Sequence, residues 1–386
     1  MNGTAQTQWV ALLGRRNQPT DGVRDYCRYL GDALAFREVC LTMADVPWAE
    51  RGWLRGLADL WENSGNWKGR WVLFQYTALA WSRRGFPFGA LVVIAVLRVR
   101  AIRTAVVFHD WTGYTGPRLV DRIRWRWQLT VMRWIARLAH RNVLPVPTEK
   151  AAWLPRHETP AAFIPIGANL PTCRPEEIQN CSEGLAKSPG RQPTVCVFCI
   201  TADRRGIAEV DVIASAAKNA AARLGSVRLI ALGHGSEENR PFLERALEGT
   251  GVDLSVLGLV AAAEAAREIS RADAALFVRG EIEGQRGSAI ASIVCGTPLI
   301  GFGSPEGAFP LSDAGVVLVP RGDVTALGQA LLRVLSEPAL RQELREKNRR
   351  AQEKYFSWER IAQQFVEVLL EDRGEALSSP RPGWVP

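Results

Sequence analysis

Directly after the apolar run DAALFV (273–278) the chain places Arg279, Glu281, Glu283 and Arg286 in one short loop, and Gly287-Ser288 then opens an apolar stretch ending at Val294. Free amides at a helix start, with the positive end of the helix dipole, form an anion site. A guanidinium beside them adds a charge and a fork of donors suited to phosphate oxygens. Two carboxylates in the same loop suit sugar hydroxyls, so the spacing predicts a phosphate and ribose cradle. Ser is also a common helix N-cap, which is the plainer role for Ser288.

Three further groups of residues have chemical character. Asp203-Arg204-Arg205-Gly206 follows the apolar run TVCVFCI (194–200) and offers two guanidiniums, which bind phosphate in bidentate fashion. His109-Asp110 closes the run TAVVFHD (104–110). Thr20-Asp21-Gly22-Val23 precedes a helical stretch, and at Gly22 a bare backbone could approach a ligand. Metal chemistry is not indicated: the four His stand apart at 109, 140, 157 and 234, with no HExxH and no Asp-x-Asp near a strand end. Nor is there a GxSxG elbow, a GxxxxGK[ST] loop, or a GxGxxG after the first strand. Cys196 and Cys199 form a C-x-x-C, but in a strand-like run residues three apart point to opposite faces, so buried cysteines are expected rather than a redox or zinc pair.

The elements that must position these residues are clearest in the C-terminal half. TVCVFCI (194–200), VRLIALG (227–233), DLSVLG (253–258), DAALFV (273–278), TPLIGF (297–302) and GVVLVP (315–320) are short apolar runs. Between most of them lie amphipathic stretches at 206–224, 261–270 and 288–294. Continuous apolar strands alternating with helices predict a doubly wound parallel sheet covered on both faces, with its ligand site at the carboxyl ends of the strands. The N-terminal half repeats the theme with strands at 8–14, 71–76 and 104–110 and a helix over 24–34. The segment 118–141 predicts a helix with Val120, Ile123, Trp127, Val131, Trp134, Ile135 and Leu138 on one face. Arg118, Arg122, Arg126, Arg133, Arg137 and Arg141 lie on its flank. Its stripe is expected to turn inward, with the arginines outward. Residues 161–193 read as a linker, helices are expected over 324–335, 338–354 and 357–370, and the Pro- and Gly-rich tail beyond Asp372 is expected to be disordered.

A length of 386 residues suits two domains. Charge divides them: residues 1–165 hold 23 Lys and Arg against 12 Asp and Glu, the remainder 25 against 28. Twelve of the 14 Trp also lie in residues 1–165. A basic, Trp-rich half predicts an anionic partner, and mixed Trp, Arg and aliphatics suit a membrane surface better than nucleic acid, for which no motif is present. The polar start Met1–Gln8 does not read as a signal peptide, and the longest apolar run, Ala90–Leu97, is far short of the roughly 20 residues needed to span a bilayer. Seven scattered Cys predict reduced thiols, so a cytoplasmic protein, peripheral on the inner face of the cell membrane, is expected.

Glu283-Gly284 and Cys295-Gly296-Thr297-Pro298 fit a frame in which an E-G loop leads into a helix and then through A-x-G-x-P into a strand. In this the sequence resembles the retaining glycosyltransferases of family 4, which have the GT-B fold. Tyr355-Phe356-Ser357-Trp358-Glu359 is similar to the family's closing helix. The resemblance departs at Ala291, eight residues after Glu283, where the family carries a second Glu that helps hold the ribose. It implies an α/β chain of two facing Rossmann-like domains with a C-terminal helix crossing back. The expected divisions are an acceptor-binding domain at 1–165, a linker at 166–193, a nucleotide-sugar domain at 194–354, the crossing helix at 355–372 and the tail at 373–386. It further implies metal-independent transfer of a hexose from a nucleotide diphosphate sugar, here taken as a UDP-sugar, with retention, to a lipid-linked, polysaccharide or other glycan acceptor. No cofactor is implied. Arg204 or Arg205 would contact the diphosphate and His109 the transferred sugar or its leaving oxygen. Asp110, Gly22, Glu281, Glu283, Arg286, Gly287 and Ser288 would complete the substrate sites. The alternatives are a catalytically inert nucleotide-sugar-binding or scaffold protein, for which Ala291 speaks, and a nucleotide-sugar epimerase of the same fold.

Overall fold

The computed structural model describes residues 6–16, 21–114, 116, 118–155, 159–171 and 191–370; Thr20, linker residues 172–190 and the tail 373–386 lie outside the described residues. The described chain forms two compact units, one running to Ile164 and resuming at Ala362, the other spanning Pro165–Ile361.

Unit 1 holds one sheet of β1 (Thr7–Leu13), β2 (Val39–Asp45), β3 (Trp71–Tyr76), β4 (Arg103–Phe108), β5 (Arg141–Leu144) and β6 (Ala161–Phe163). All neighbours pair in parallel, in the order β2-β1-β3-β4-β5-β6. β3 is buried at every position, as a strand covered on both faces must be. The edge strand β2 is half-exposed. Around the sheet lie α1 (Gly22–Ala35), α2 (Trp48–Arg51), α3 (Trp53–Ser64), α4 (Phe88–Val99) and α5 (Leu119–Leu138). Trp9, Phe74, Tyr76, Trp81 and Phe108 are fully buried, so tryptophan serves the core here as well as the surface.

Two expectations need correction. Ala161–Phe163, read as the start of the linker, pairs with β5 as the last strand of the sheet. And α5 does not turn its whole apolar stripe inward. Val131 and Ile135 are buried, but Val120, Ile123 and Trp134 are exposed, while Asp121 and Gln128 are buried instead. The reason is local: Asp121 accepts from Arg118 N and Arg124, and Gln128 bonds two loop backbones, so this end of the helix packs through polar groups.

Unit 2 holds β7 (Thr194–Phe198), β8 (Val227–Leu232), β9 (Val252–Gly258), β10 (Ala274–Glu281), β11 (Leu299–Phe302) and β12 (Val316–Val319), all parallel, in the order β12-β11-β10-β7-β8-β9. Its helices are α6 (Arg205–Leu224), α7 (Arg240–Leu247), α8 (Ala262–Arg271), α9 (Gly287–Val294), α10 (Pro305–Ala308), α11 (Val324–Ser336) and α12 (Pro338–Ala351). Counted from β7, the chain winds first through β8 and β9, then reverses to β10, β11 and β12. The switch point therefore lies between β7 and β10, where ligands of doubly wound sheets bind.

The last helix, α13 (Trp358–Leu370), belongs to unit 2 as far as Ile361 and to unit 1 from Ala362. Within unit 2, Trp358 Nε1 donates to Ala168 O at 3.0 Å. Within unit 1, Trp71 Nε1 donates to Leu369 O at 2.8 Å. Among the described residues no helix is long and apolar enough to cross a membrane.

Candidate functional site

In unit 2 the switch point is bracketed by the loop after β7 and the loop after β10. The first is braced from below: Thr201 gives its N–H and hydroxyl to Glu209 of α6, at 2.8 and 2.6 Å, and Asn239 Nδ2 donates to the carbonyls of Thr201 and Gly235. Only glycine fits at 206, where a Cβ would meet Thr201 O at 2.0 Å. Cys199 follows β7 with a left-handed φ of 69°. Burial pushes its thiol up, opposed by the charge of the Arg279 guanidinium. Cys196 is buried within β7 and its thiol is likewise pushed up by burial, as expected for an inert strand cysteine. No cluster of metal-ligating side chains occurs among the described residues.

Two helices start at this edge, and their first turns differ. At the start of α6, Asp203 Oδ1 accepts from Arg205 N at 2.9 Å and Asp203 O from Gly206 N at 2.8 Å. The same carboxylate holds the Arg205 guanidinium at 2.7 Å. This helix start is already occupied by an anion. At the start of α9 the N-cap is Arg286, not Ser288, and no side chain caps it. Ala289 N and Ile290 N reach Arg286 O, while the amides of Gly287 and Ser288 have no acceptor among the described residues. A Cβ built on Gly287 would meet nothing within 4 Å, so the side-chain face of this residue is open. The dipole and two donors without acceptors among the described residues make the start of α9, rather than that of α6, the candidate anion site. Of the paired arginines, Arg204 is exposed and makes no hydrogen bond or ion pair among the described residues; Arg205 is engaged by Asp203.

The loop into α9 is fixed by Ile282, which is buried and donates its N–H to Phe302 O at 2.7 Å. Its neighbours diverge: Glu281 lies 3.9 Å from Arg321 Nε, and Glu283 meets Gln285 Nε2 at 2.8 Å and Arg286 Nη2 at 3.4 Å. Arg286 Nε is buried without a partner among the described residues, an unfilled donor at the helix start. Ala291 is fully buried in a cluster with Leu170, Cys196, Leu232 and Cys295, so apolar packing replaces the carboxylate of the family pattern.

The remaining predicted residues belong to unit 1. Gly22 is the first residue of α1, whose cap is Asp21, accepting from Arg24 N at 3.1 Å. His109, at the end of β4, packs edge-on against Tyr26 of α1 at 4.9 Å, and Asp21 acts on it electrostatically, so the start of α1 and His109 are brought together. Burial lowers His109 to about 4, with Asp21 opposing. His109 Nε2 lies 2.8 Å from Gln75 Oε1, while Gln75 Nε2 donates to Leu73 O. With the amide so oriented, the neutral imidazole carries its proton on Nε2 and leaves Nδ1 as an acceptor. His109 is therefore suited to accept from a sugar hydroxyl, not to protonate a leaving oxygen at neutral pH. Asp110 accepts from Ala78 N at 3.0 Å; desolvation raises its carboxyl, opposed by that bond.

Sequence reasoning did not find Thr201, Glu209 and Asn239 as braces: Asn239 lies 38 residues from Thr201, and Glu209, eight residues away, looks like any exposed acid of a helix. Nor did it separate Arg204 from Arg205, although the adjacent Asp203 was legible as the group that would claim one of them.

The two parallel sheets and their flanking helices have counterparts among known proteins. Residues 194–337 match the family model described as glycosyl transferases group 1. No curated protein matches the sequence significantly. Among solved structures, a sucrose-phosphate synthase from Thermosynechococcus elongatus aligns at 19% identity over 95% of this chain and 98% of that chain, with a TM-score of 0.68. HepE of Anabaena, solved with UDP and glucose, aligns at 15% over 95% and 100%, with a TM-score of 0.62. WaaG, a glycosyltransferase involved in lipopolysaccharide biosynthesis, aligns at 13% over 93% and 99%, also at 0.62. The chain thus has the fold of the GT-B glycosyltransferases. Within it, residues 194–337 are the part similar to the glycosyl transferases group 1 family.

Proposed function

We propose that the chain moves a hexose from a nucleotide diphosphate sugar to a glycan or lipid-linked acceptor, with retention and without a metal ion. The observation that carries this is the uncapped start of α9: the amides of Gly287 and Ser288 have no acceptor among the described residues and stand beside Arg286 at the switch-point edge of the sheet, the edge to which the loops of Arg204 and Arg279 also belong. These preset donors suit the charge that grows on a departing diphosphate, and they need no reorganisation as it forms. The bond from the anomeric carbon to the diphosphate oxygen breaks and the bond to the acceptor oxygen forms on the same face. The acceptor's proton passes to the departing diphosphate, so no protein base is needed. Glu281 and Glu283 supply acceptors for ribose or sugar hydroxyls. UDP is the nucleotide proposed, since HepE is described with UDP and glucose.

Unit 1 is assigned the acceptor, with His109 Nδ1 and Asp110 as hydrogen-bond acceptors. Its outer face supports peripheral binding to an anionic membrane. Phe88 of α4 packs on Trp127 of α5 at 4.5 Å, and Phe88, Val92, Val120 and Ile123 are exposed among Arg118, Arg122 and Arg126. Apolar side chains at headgroup depth with arginines on lipid phosphate give such a face its affinity.

Release of UDP from UDP-sugars by the purified chain tests the reading. Arg286→Ala and Arg204→Ala should each lower the rate by about 10²-fold or more. The buried Ala291 favours one second reading, a protein that binds the nucleotide sugar without turning it over. UDP-sugar binding with no release in the presence of any acceptor would decide for it.

A further inference from the structure

A cavity of about 520 Å³ opens in unit 1 between the loop after β3, the loop after β4 and the first turns of α5. That volume lies within the roughly 300–1,000 Å³ usual for small-molecule sites. Its wall carries three arginines, Arg83, Arg84 and Arg124, with Asp110, Thr112 and Tyr114 opposite them in sequence on the β4 loop.

The cavity is built rather than incidental. Gln128 is buried and ties its two loops together, donating to Gly85 O at 2.7 Å and accepting from Tyr114 N at 2.6 Å. Arg124 is held by Asp121 at 2.9 Å and lies over the rings of Tyr114 and Phe86, at 5.3 and 5.8 Å. Its Nε is buried without an acceptor among the described residues. Gly85, at a φ of 76°, is required because a Cβ there would meet Arg124 Cδ at 2.8 Å. Ser82 Oγ accepts from Arg84 N at 3.2 Å and Phe86 N at 2.9 Å, fixing the turn that presents Arg83 and Arg84. Arg83 donates to Ala49 O at 2.8 Å, and the Arg84 guanidinium makes no hydrogen bond or ion pair among the described residues.

Three guanidiniums on one small cavity, balanced among the described residues by Asp110 and the Asp121 already paired with Arg124, exceed what an uncharged glycan needs. They match a phosphate ester, whose oxygens accept several fork-shaped donors at once. We infer that this cavity binds the phosphate group of the acceptor, with Arg84 and Arg83 on its oxygens, Arg124 as the fixed base of the site, and Asp110 accepting from a sugar hydroxyl. The inference rests on the reading of unit 1 as the acceptor unit. The phosphate belongs either to a soluble sugar phosphate or to a prenyl phosphate carrier.

Calorimetric titration of the full chain distinguishes these sources. The probes are glucose 6-phosphate against glucose, and farnesyl phosphate against farnesol in phosphatidylcholine vesicles. The Arg204→Ala/Arg286→Ala background is titrated too, so that the cations of unit 2 cannot hold the probe. At least one phosphate probe should bind about tenfold or more tighter than its neutral counterpart, and Arg83→Glu/Arg84→Glu should lower that affinity at least tenfold. Preference for glucose 6-phosphate assigns a soluble acceptor, and preference for farnesyl phosphate a lipid-linked one. An unchanged UDP affinity shows that the charge-reversed chain is folded, and Arg84→Ala, which removes an exposed and unpaired group, gives a milder loss. Phosphate probes that bind no better than their neutral counterparts, or affinities indifferent to the arginine changes, overturn the inference. Absent UDP binding with phosphate binding intact would instead overturn the donor reading and leave this site standing.

Discussion

The arginines at the strand ends of the two units are held in opposite ways. In unit 1 Arg124 is clamped by a carboxylate, two aromatic rings and the backbone at Gly85. In unit 2 Arg204 stands exposed and unpaired among the described residues, and the other donors at this edge of the sheet are backbone amides at an uncapped helix start. A clamped cation has given up its freedom before a ligand arrives and so reads shape as well as charge. Fixed amides with an unpaired cation suit a group whose charge changes during a reaction. On the proposed reading, the same sheet architecture serves recognition in one unit and charge stabilisation in the other.

The sharpest way to break this contrast is to compare the two neighbouring arginines of unit 2. Arg204→Ala should cost about 10²-fold in sugar transfer or UDP release, whereas Arg205→Ala, removing a group already held by Asp203, should cost far less. Equal losses would mean that the occupied start of α6 does not matter. The next largest effect is pH-dependent. His109 is lowered from 6.5 to about 4 by burial, so below pH 6.5 the unfolded chain takes up a proton that the folded chain refuses until about pH 4. Its contribution is therefore full above pH 6.5, is lost as pH falls through that window, and levels off below it. Up to about 3 kcal/mol of stability should go, seen by denaturant titration at pH 7 and 4.5 and reduced in His109→Gln. In the cavity of unit 1, Gln128→Leu abandons the bonds to Gly85 O and Tyr114 N and should cost about 2 kcal/mol, read as a lowered melting temperature. Smallest of all, Asp203→Asn removes the negative charge beside Arg205 at the start of α6 and should tighten UDP binding a few-fold at low salt, an effect that added salt removes.

Much of unit 2 was legible in the sequence because its strands are buried on both faces. Each of the six apolar runs became one of β7 to β12, and helices near 206–224, 261–270 and 288–294 followed. α7 and the four-residue α10 escaped: α7 has eight residues that start beside Pro241 with two apolar anchors, Leu243 and Leu247, and α10 is a single turn. Unit 1 was harder. β2 is an edge strand interrupted by Thr42 and Asp45, and β5 and β6 are four and three residues long, too short for any period to show. The α9 loop could be read as an anion site because Arg, Glu, Gly and Ser stand in one stretch. The unit 1 cavity could not, because Arg83, Arg84, Asp110 and Arg124 meet only once β3, β4 and α5 are in place.

The central claim is that the start of α9 holds the nucleotide's diphosphate. Amide hydrogen exchange with and without UDP tests it most directly, since Gly287 N and Ser288 N lack acceptors among the described residues and should exchange fast in the free chain. The account predicts that UDP slows exchange over residues 286–290, and over 200–206 on the neighbouring loop, with no comparable change around Arg83 and Arg84. Binding of UDP that leaves 286–290 unprotected, or that protects only unit 1, would contradict it.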